Sequence, residues 1–217
     1  MSENEKNVNL EPEITEEELI AKNVFTMSPL FKEIVSWVMC LAIALVAALV
    51  IRTWLFTVVK VKGESMYPTL HDGDRLITRI IGYTPKRGDI IIFHPKSDPK
   101  TAYVKRVIAV EGDRLWINPA NGDVHLKKSG SNDWEMLEEK YIAEKIHPAT
   151  LYACDPDLID LSREGLLIKE DHIFVMGDNR NHSKDSRDSS LGQVPFEAVI
   201  GKSQIRIFPF TSIGITE

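Results

Sequence analysis

The sequence predicts a mainly β protein: an antiparallel sheet or barrel-like core, tethered to a membrane by one N-terminal transmembrane helix and interrupted by an inserted subdomain. Three observations carry this. Ile34 through Ile51 form an uncharged apolar run. Beyond it come short runs rich in β-branched residues, separated by turn signals. Between residues 114 and 170 that regularity weakens.

The apolar run comes first. About 18 residues at about 1.5 Å each give about 27 Å of helix, nearly the thickness of a bilayer's hydrocarbon core. Trp37 and Trp54 stand near its two ends, where amphipathic rings favour the interface. Arg52 can snorkel, so the expected anchor spans residues 31–56. A cleavable signal peptide would open with a short basic segment. Here residues 1–30 are acid-rich, with Glu16, Glu17 and Glu18 in succession, and read as a disordered tail. Charge counting sets Lys22 and Lys32 before the span against Arg52, Lys60 and Lys62 after it. That balance does not decide the orientation and, taken alone, leans toward a cytoplasmic soluble part.

The strand pattern then takes over. Phe56–Val61, Arg75–Ile81, Asp89–Phe93 and Tyr103–Val110 read as strands, followed by Arg114–Ile117, Asp123–Leu126, His172–Met176 and Ser203–Ile207. Asn121-Gly122 marks a hairpin. The expected division is a core from residues 57–113 and 171–217, with 114–170 inserted between its halves.

Composition narrows the function. The chain has 217 residues, and about 160 of them follow the span, a single-domain length. Net charge is −6, so nothing suggests a nucleic-acid partner. The two cysteines, Cys40 and Cys154, lie inside and far outside the span, which argues against a disulfide between them. Six histidines are scattered without the spacing of a zinc site, and no metal or cofactor motif is present.

Three segments carry chemistry. Ser65, in Gly63-Glu64-Ser65-Met66-Tyr67-Pro68, sits on a tight connection leaving a strand. There one residue can supply both a nucleophilic oxygen and, through its backbone N–H, an oxyanion donor. Lys105 is expected to share a strand face with Tyr103, Val107 and Ala109. Burial on such a face lowers a lysine's pKa and makes a base available, whereas the neighbouring Arg106 stays protonated. The loop Gly177–Arg187 is dense in short polar side chains. In it Ser183 can orient an amine, and Asp185 with Arg187 can form an ion pair. A Ser-His-Asp triad using His182 or His71 remains open on these grounds. Ser97-Asp98-Pro99-Lys100 also matches S-x-x-K, but Pro99 opposes the helix that arrangement needs.

Taken together, four ordered motifs resemble the bacterial type I signal peptidases, in their single-span, Gram-positive-like form. They are Gly63–Leu70 with Gly73-Asp74, then Arg87-Gly88-Asp89-Ile90, then Tyr103–Ile108, and Gly177-Asp178-Asn179-Arg180 with Asp185-Ser186-Arg187. The resemblance implies a membrane-bound serine endopeptidase that removes signal peptides from exported preproteins. Ser65 would be the nucleophile and neutral Lys105 the general base. Ser183 would hydrogen-bond the lysine, Asp185 and Arg187 would support the site, and the Ser65 N–H would face the oxyanion. Gly63 falls where some members carry a serine as second oxyanion donor. The resemblance also implies substrates with small residues one and three positions before the cut. It places the catalytic part on the extracytoplasmic side of the cell membrane. Two rivals are a self-cleaving serine–lysine repressor, which the span and the lack of a helix-turn-helix pattern oppose, and a non-enzymatic anchored β module.

Overall fold

A run without charges and rich in Leu, Ala, Ile and Val satisfies its backbone most readily as a helix. The computed structural model, which describes residues 28–50, 55–80, 82–151, 154–160, 162 and 164–216, has α1 at Pro29–Val50. Its mean hydropathy is 2.4, none of its residues is buried, and its 22 residues are long and apolar enough to cross a membrane. Up to residue 27, the expected acidic tail lies outside the described residues, as do Arg52 and Trp54. Phe56, expected to end the anchor, is already the first residue of a strand.

Residues 49–217 form one compact unit. Its strands are β1 (Phe56–Lys60), β2 (Arg75–Arg79), β3 (Ile90–Phe93), β4 (Tyr103–Val110), β5 (Arg114–Ile117) and β6 (Val124–Lys127), followed by β7 (Glu135–Met136), β8 (Leu166–Leu167), β9 (His172–Met176), β10 (Val194–Pro195), β11 (Val199–Phe208) and β12 (Gly214–Ile215). Every pairing is antiparallel. The larger sheet runs β1-β2-β11-β3-β4-β9-β10, with β12 added to β11. It stays open between β1 and β10, a half-barrel rather than a closed one. The second sheet runs β7-β6-β5-β8.

The centre of the large sheet is continuous apolar sequence. All four residues of β3 are fully buried, as expected of a strand covered on both faces. On one side Ile90 and Ile92 pack with Val61, Met66, Leu70, Leu76 and Val104. On the other, Ile91 and Phe93 pack with Val107, Ile173, Val175 and Val194. A third cluster joins the sheets: Ile108, Ala109, Phe174 and Met176 of the first meet Leu115, Ile117, Val124 and Leu126 of the second.

One expectation fails here. The β4–β9 register shifts between Val107 and Ala109, the mark of a bulge. Ile108 and Ala109 therefore face the same core, while Val110 rejoins the Val107 side. Lys105 keeps Tyr103 and Val107 as strand-face companions, but not Ala109.

The Asn121-Gly122 hairpin forms, joining β5 to β6 with Ile117 opposite Val124. Asn118 N–H bonds the Asp123 carbonyl and Gly122 N–H bonds the Asn118 carbonyl. Gly122 has φ +74, and a Cβ there would fall on the Ile146 carbonyl. Gly122→Ala should therefore cost more than about 1 kcal/mol, from both backbone strain and collision, read as a lower thermal unfolding midpoint.

Candidate active site

The turn carrying Ser65 is built by its neighbours. Val61 N–H bonds the Asp74 carbonyl and Gly73 N–H bonds the Val61 carbonyl, closing the loop between β1 and β2. Gly63, at φ +82, turns the chain, and its N–H bonds Asp72 Oδ1 at 2.7 Å. Tyr67 N–H reaches the Glu64 carbonyl. Met66 and Leu70 are buried beneath, so Ser65 is held at the surface by a plug of apolar side chains. The Ser65 carbonyl accepts a bond from Asn179 N–H, while its own N–H has no backbone or side-chain acceptor among the described residues.

Lys105 enters from β4, opposite Ile91 of β3. It is only 4% exposed. Its Nζ lies 2.6 Å from Ser65 Oγ and 3.0 Å from the Val104 carbonyl oxygen. Burial drives its pKa down from 10.5 to about 8, against the pull of Asp185 and Asp178 and with the help of Arg187. The shift matters for chemistry. At pH 7 about one amine in ten is then neutral, against about one in three thousand at the ordinary value. His71 and His182 are exposed, and neither ring hydrogen-bonds Ser65. Ser97 and Lys100 lie in consecutive turns rather than a helix.

The loop after β9 docks on the nucleophile turn. Asn179 Nδ2 donates to the Glu64 carbonyl beside the Ser65–Asn179 backbone bond. Gly177 sits where the two segments touch: a Cβ there would overlap Ser183 Oγ and the Ser65 carbonyl oxygen. Asp185 and Arg187 form the expected ion pair, with Nε to Oδ1 at 2.9 Å and Nη2 to Oδ2 at 2.8 Å. Burial pushes the Asp185 carboxyl up, but the Arg187 guanidinium and the Gly177 N–H outweigh it and hold the pKa below the usual range. The Ser183 hydroxyl stands close enough to assist electrostatically, yet its buried Oγ makes no full hydrogen bond to Asp185 or to Lys105.

Further residues anchor the site that the sequence reading left aside. Arg106 and Asp178 form a buried bidentate pair, at 2.9 and 2.8 Å. Asp178 also accepts from Thr69 Oγ1, so one carboxylate ties β4 to the nucleophile turn. The Tyr141 ring lies 4.0 Å from the Arg106 guanidinium carbon. Arg180 is completely buried; it bonds the Gly177 carbonyl, pairs with Glu139, and its own carbonyl accepts from Arg187. Asp178 and Arg180 were visible inside the Gly177–Arg180 motif. Glu139 and Tyr141 had no signal, since a Glu-rich stretch reads as solvated surface.

A groove of about 490 Å³ opens beside the pair, walled by Val61, Met66, Ala102 and Val104 and carrying Lys60, Lys62, Lys100 and Lys184. Its apolar walls stand next to the Ser65 hydroxyl and the Lys105 amine.

Known proteins similar to this chain fall in one family. The family model described as signal peptidase, peptidase S26, matches residues 34–208. Signal peptidase IB of Staphylococcus aureus (strain COL) is 32% identical over 188 residues, covering 83% of this chain and 92% of that protein. Signal peptidase I P of Bacillus subtilis subsp. natto is 35% identical over 184 residues, with the same coverage of 83% and 92%. Among solved structures, a signal peptidase I from Enterococcus faecalis V583 matches with TM-score 0.39 and 25% identity, over 55% of this chain and 97% of that one.

Glu139→Ala should strand Arg180 as an uncompensated buried cation. A loss of about 3–5 kcal/mol in unfolding free energy is expected, whereas Tyr141→Phe, which keeps the ring over Arg106, should cost less than about 1 kcal/mol. Denaturant melts of the two variants separate these outcomes.

Proposed function

Because the chain belongs to the signal peptidase family, peptidase S26, we propose that it is a membrane-bound serine endopeptidase that removes signal peptides from exported preproteins with a Ser65–Lys105 dyad. The observation that carries this reading is the 2.6 Å approach of Lys105 Nζ to Ser65 Oγ, in a setting where burial brings the lysine to about 8.

The steps follow from the geometry. Neutral Nζ takes the Oγ proton as Oγ attacks the scissile carbonyl. The oxyanion forms against the free Ser65 N–H. Gly63 offers no side chain, and its N–H is engaged by Asp72 Oδ1, so a second donor has to come from water or from a shift of that turn. The ammonium formed at Lys105 is steadied by Asp185 and Asp178 and passes its proton to the leaving amine. The amine, neutral again, then activates water to hydrolyse the ester at Ser65. Ser183, whose buried hydroxyl has no hydrogen-bond partner among the described residues, takes Nζ as its partner and orients it only as these transfers proceed. Asp185 and Arg187 hold the loop that carries it. No metal or cofactor enters the scheme.

The substrate is a preprotein with small residues one and three positions before the cut. Val61, Met66, Ala102 and Val104 support this, as walls beside Ser65 that leave room for short side chains. The helix Pro29–Val50 anchors the enzyme in the cell membrane, with the catalytic part on the extracytoplasmic side. Anchor and signal sequence then share one plane, which raises their effective concentration.

Ser65→Ala and Lys105→Ala should each abolish preprotein cleavage while circular dichroism still reports a folded protein. Cleavage by Lys105→Ala at the wild-type rate would remove the lysine as base. Deprotonation activates this base, so kcat/KM should climb with pH to a plateau above about 8, the pKa of the buried amine. A lower limb near 6.5 that disappears with His182→Ala would point instead to a histidine triad.

A further inference from the structure

Asn179 grips the nucleophile turn with both its backbone and its side-chain amide. Its backbone N–H donates to the Ser65 carbonyl at 3.1 Å, and its Nδ2 donates to the Glu64 carbonyl at 3.1 Å. These carbonyls belong to the two peptide units that flank the Ser65 Cα. The unit joining Glu64 to Ser65 carries the N–H that faces the oxyanion in the scheme above. That unit is trans, so its C=O and N–H point in opposite directions. Whatever fixes the Glu64 carbonyl therefore aims the Ser65 N–H. The same carbonyl also accepts from Tyr67 N–H at 3.0 Å, so both of its lone pairs are engaged. Donors on the oxygen polarise the whole unit and make its N–H a stronger donor in turn. At the other end, the Ser65 N–H has no acceptor among the described residues.

We propose that Asn179 is a positioning residue: through the Glu64–Ser65 peptide, its side-chain amide aims the Ser65 N–H at the oxyanion. This rests on the serine peptidase reading above. The neighbours of Asn179 have other tasks, since Asp178 and Arg180 turn into buried ion pairs with Arg106 and Glu139. Asn179 itself is only half-buried, and its Nδ2 bonds neither Ser65 Oγ nor Lys105 Nζ. Its effect on the reaction therefore passes through one peptide plane. It is felt when negative charge develops on the scissile oxygen, not when substrate first binds.

The test uses the full-length protein in a non-ionic detergent, with peptides carrying Ala one and three positions before the cut. Asn179→Ala removes the side-chain donor and keeps the backbone bond to Ser65. Asn179→Asp keeps the shape as well, but its carboxylate cannot donate. In both variants kcat should fall about tenfold or more, short of the roughly 100- to 1000-fold cost of deleting an oxyanion donor outright. KM should stay within about twofold. The lower limb of the Asn179→Ala pH profile should remain at about 8, the value set by Lys105. A peptide aldehyde ending in Ala adds a further readout. Ser65 Oγ bonds its carbonyl carbon, and the Oγ proton passes by way of Lys105 Nζ to the former carbonyl oxygen, which sits where the oxyanion forms. Its inhibition constant should rise as kcat falls, while that of the matching peptide alcohol stays unchanged. Wild-type kcat in either variant overturns the inference. So does a loss confined to KM, or one that weakens aldehyde and alcohol equally. Loss of the folded circular dichroism signal in both variants would make Asn179 structural and overturn it too. A displaced pH limb in Asn179→Ala would assign the residue to Lys105 instead. If the wild-type protein cleaves none of the peptides, or Ser65→Ala still cleaves them, the reading of function falls and takes this inference with it.

Discussion

An ammonium in water is no base, and a serine hydroxyl in water is a poor nucleophile; the proposed dyad depends on keeping Lys105 dry. Its 4% exposure is the source of its lowered pKa. Desolvation acts against two nearby carboxylates, Asp185 and Asp178, that would otherwise keep the amine charged. Each carboxylate is already committed to an arginine, Asp185 to Arg187 and Asp178 to Arg106. Pairing neutralises most of their field, so burial prevails, yet enough remains to steady the ammonium once a proton arrives.

Those two ion pairs also place the atoms of the proposed dyad. Ser65 and Lys105 come from different segments, and a small error in their separation would be costly to catalysis. Asp178 holds β4 through Arg106 and the nucleophile turn through Thr69. The loop carrying Asp178 rests on the Ser65 carbonyl through Asn179. Both carboxylates are buried with their acceptors well satisfied, the condition under which polar networks stiffen a site rather than weaken it.

Much of this was legible from local chemistry. Tyr103–Val110, Arg114–Ile117 and His172–Met176 coincide with β4, β5 and β9 because each is a β-branched or aromatic run bounded by turn residues. The two-residue strands β7, β8, β10 and β12 were not, since two residues show no period. The bulge near Ile108 was hidden too: it depends on the partner strand β9, and an apolar run reads the same with or without a shift. At the site, Ser65, Lys105, Asp185 and Arg187 stood out because their motifs are dense and ordered. Glu139 and Tyr141 did not, because a buried ion pair and a ring over a guanidinium are made by folding, between segments about 40 residues apart.

The Glu139–Arg180 pair also bears on timing. Arg180 lies in the loop that frames the dyad, but its counter-ion follows β7, whose partner β6 belongs to the second sheet. The guanidinium has nowhere favourable to go until that strap has docked. A chain that had paired only β1 to β4 with β9 and β11 would hold Lys105 on β4 and the Ser65 turn through Asp178 and Asn179, but Arg180 in the adjoining loop would lack its carboxylate. The loop that frames the proposed dyad therefore draws part of its support from the second sheet, so the inserted segment serves the site without touching its reacting atoms.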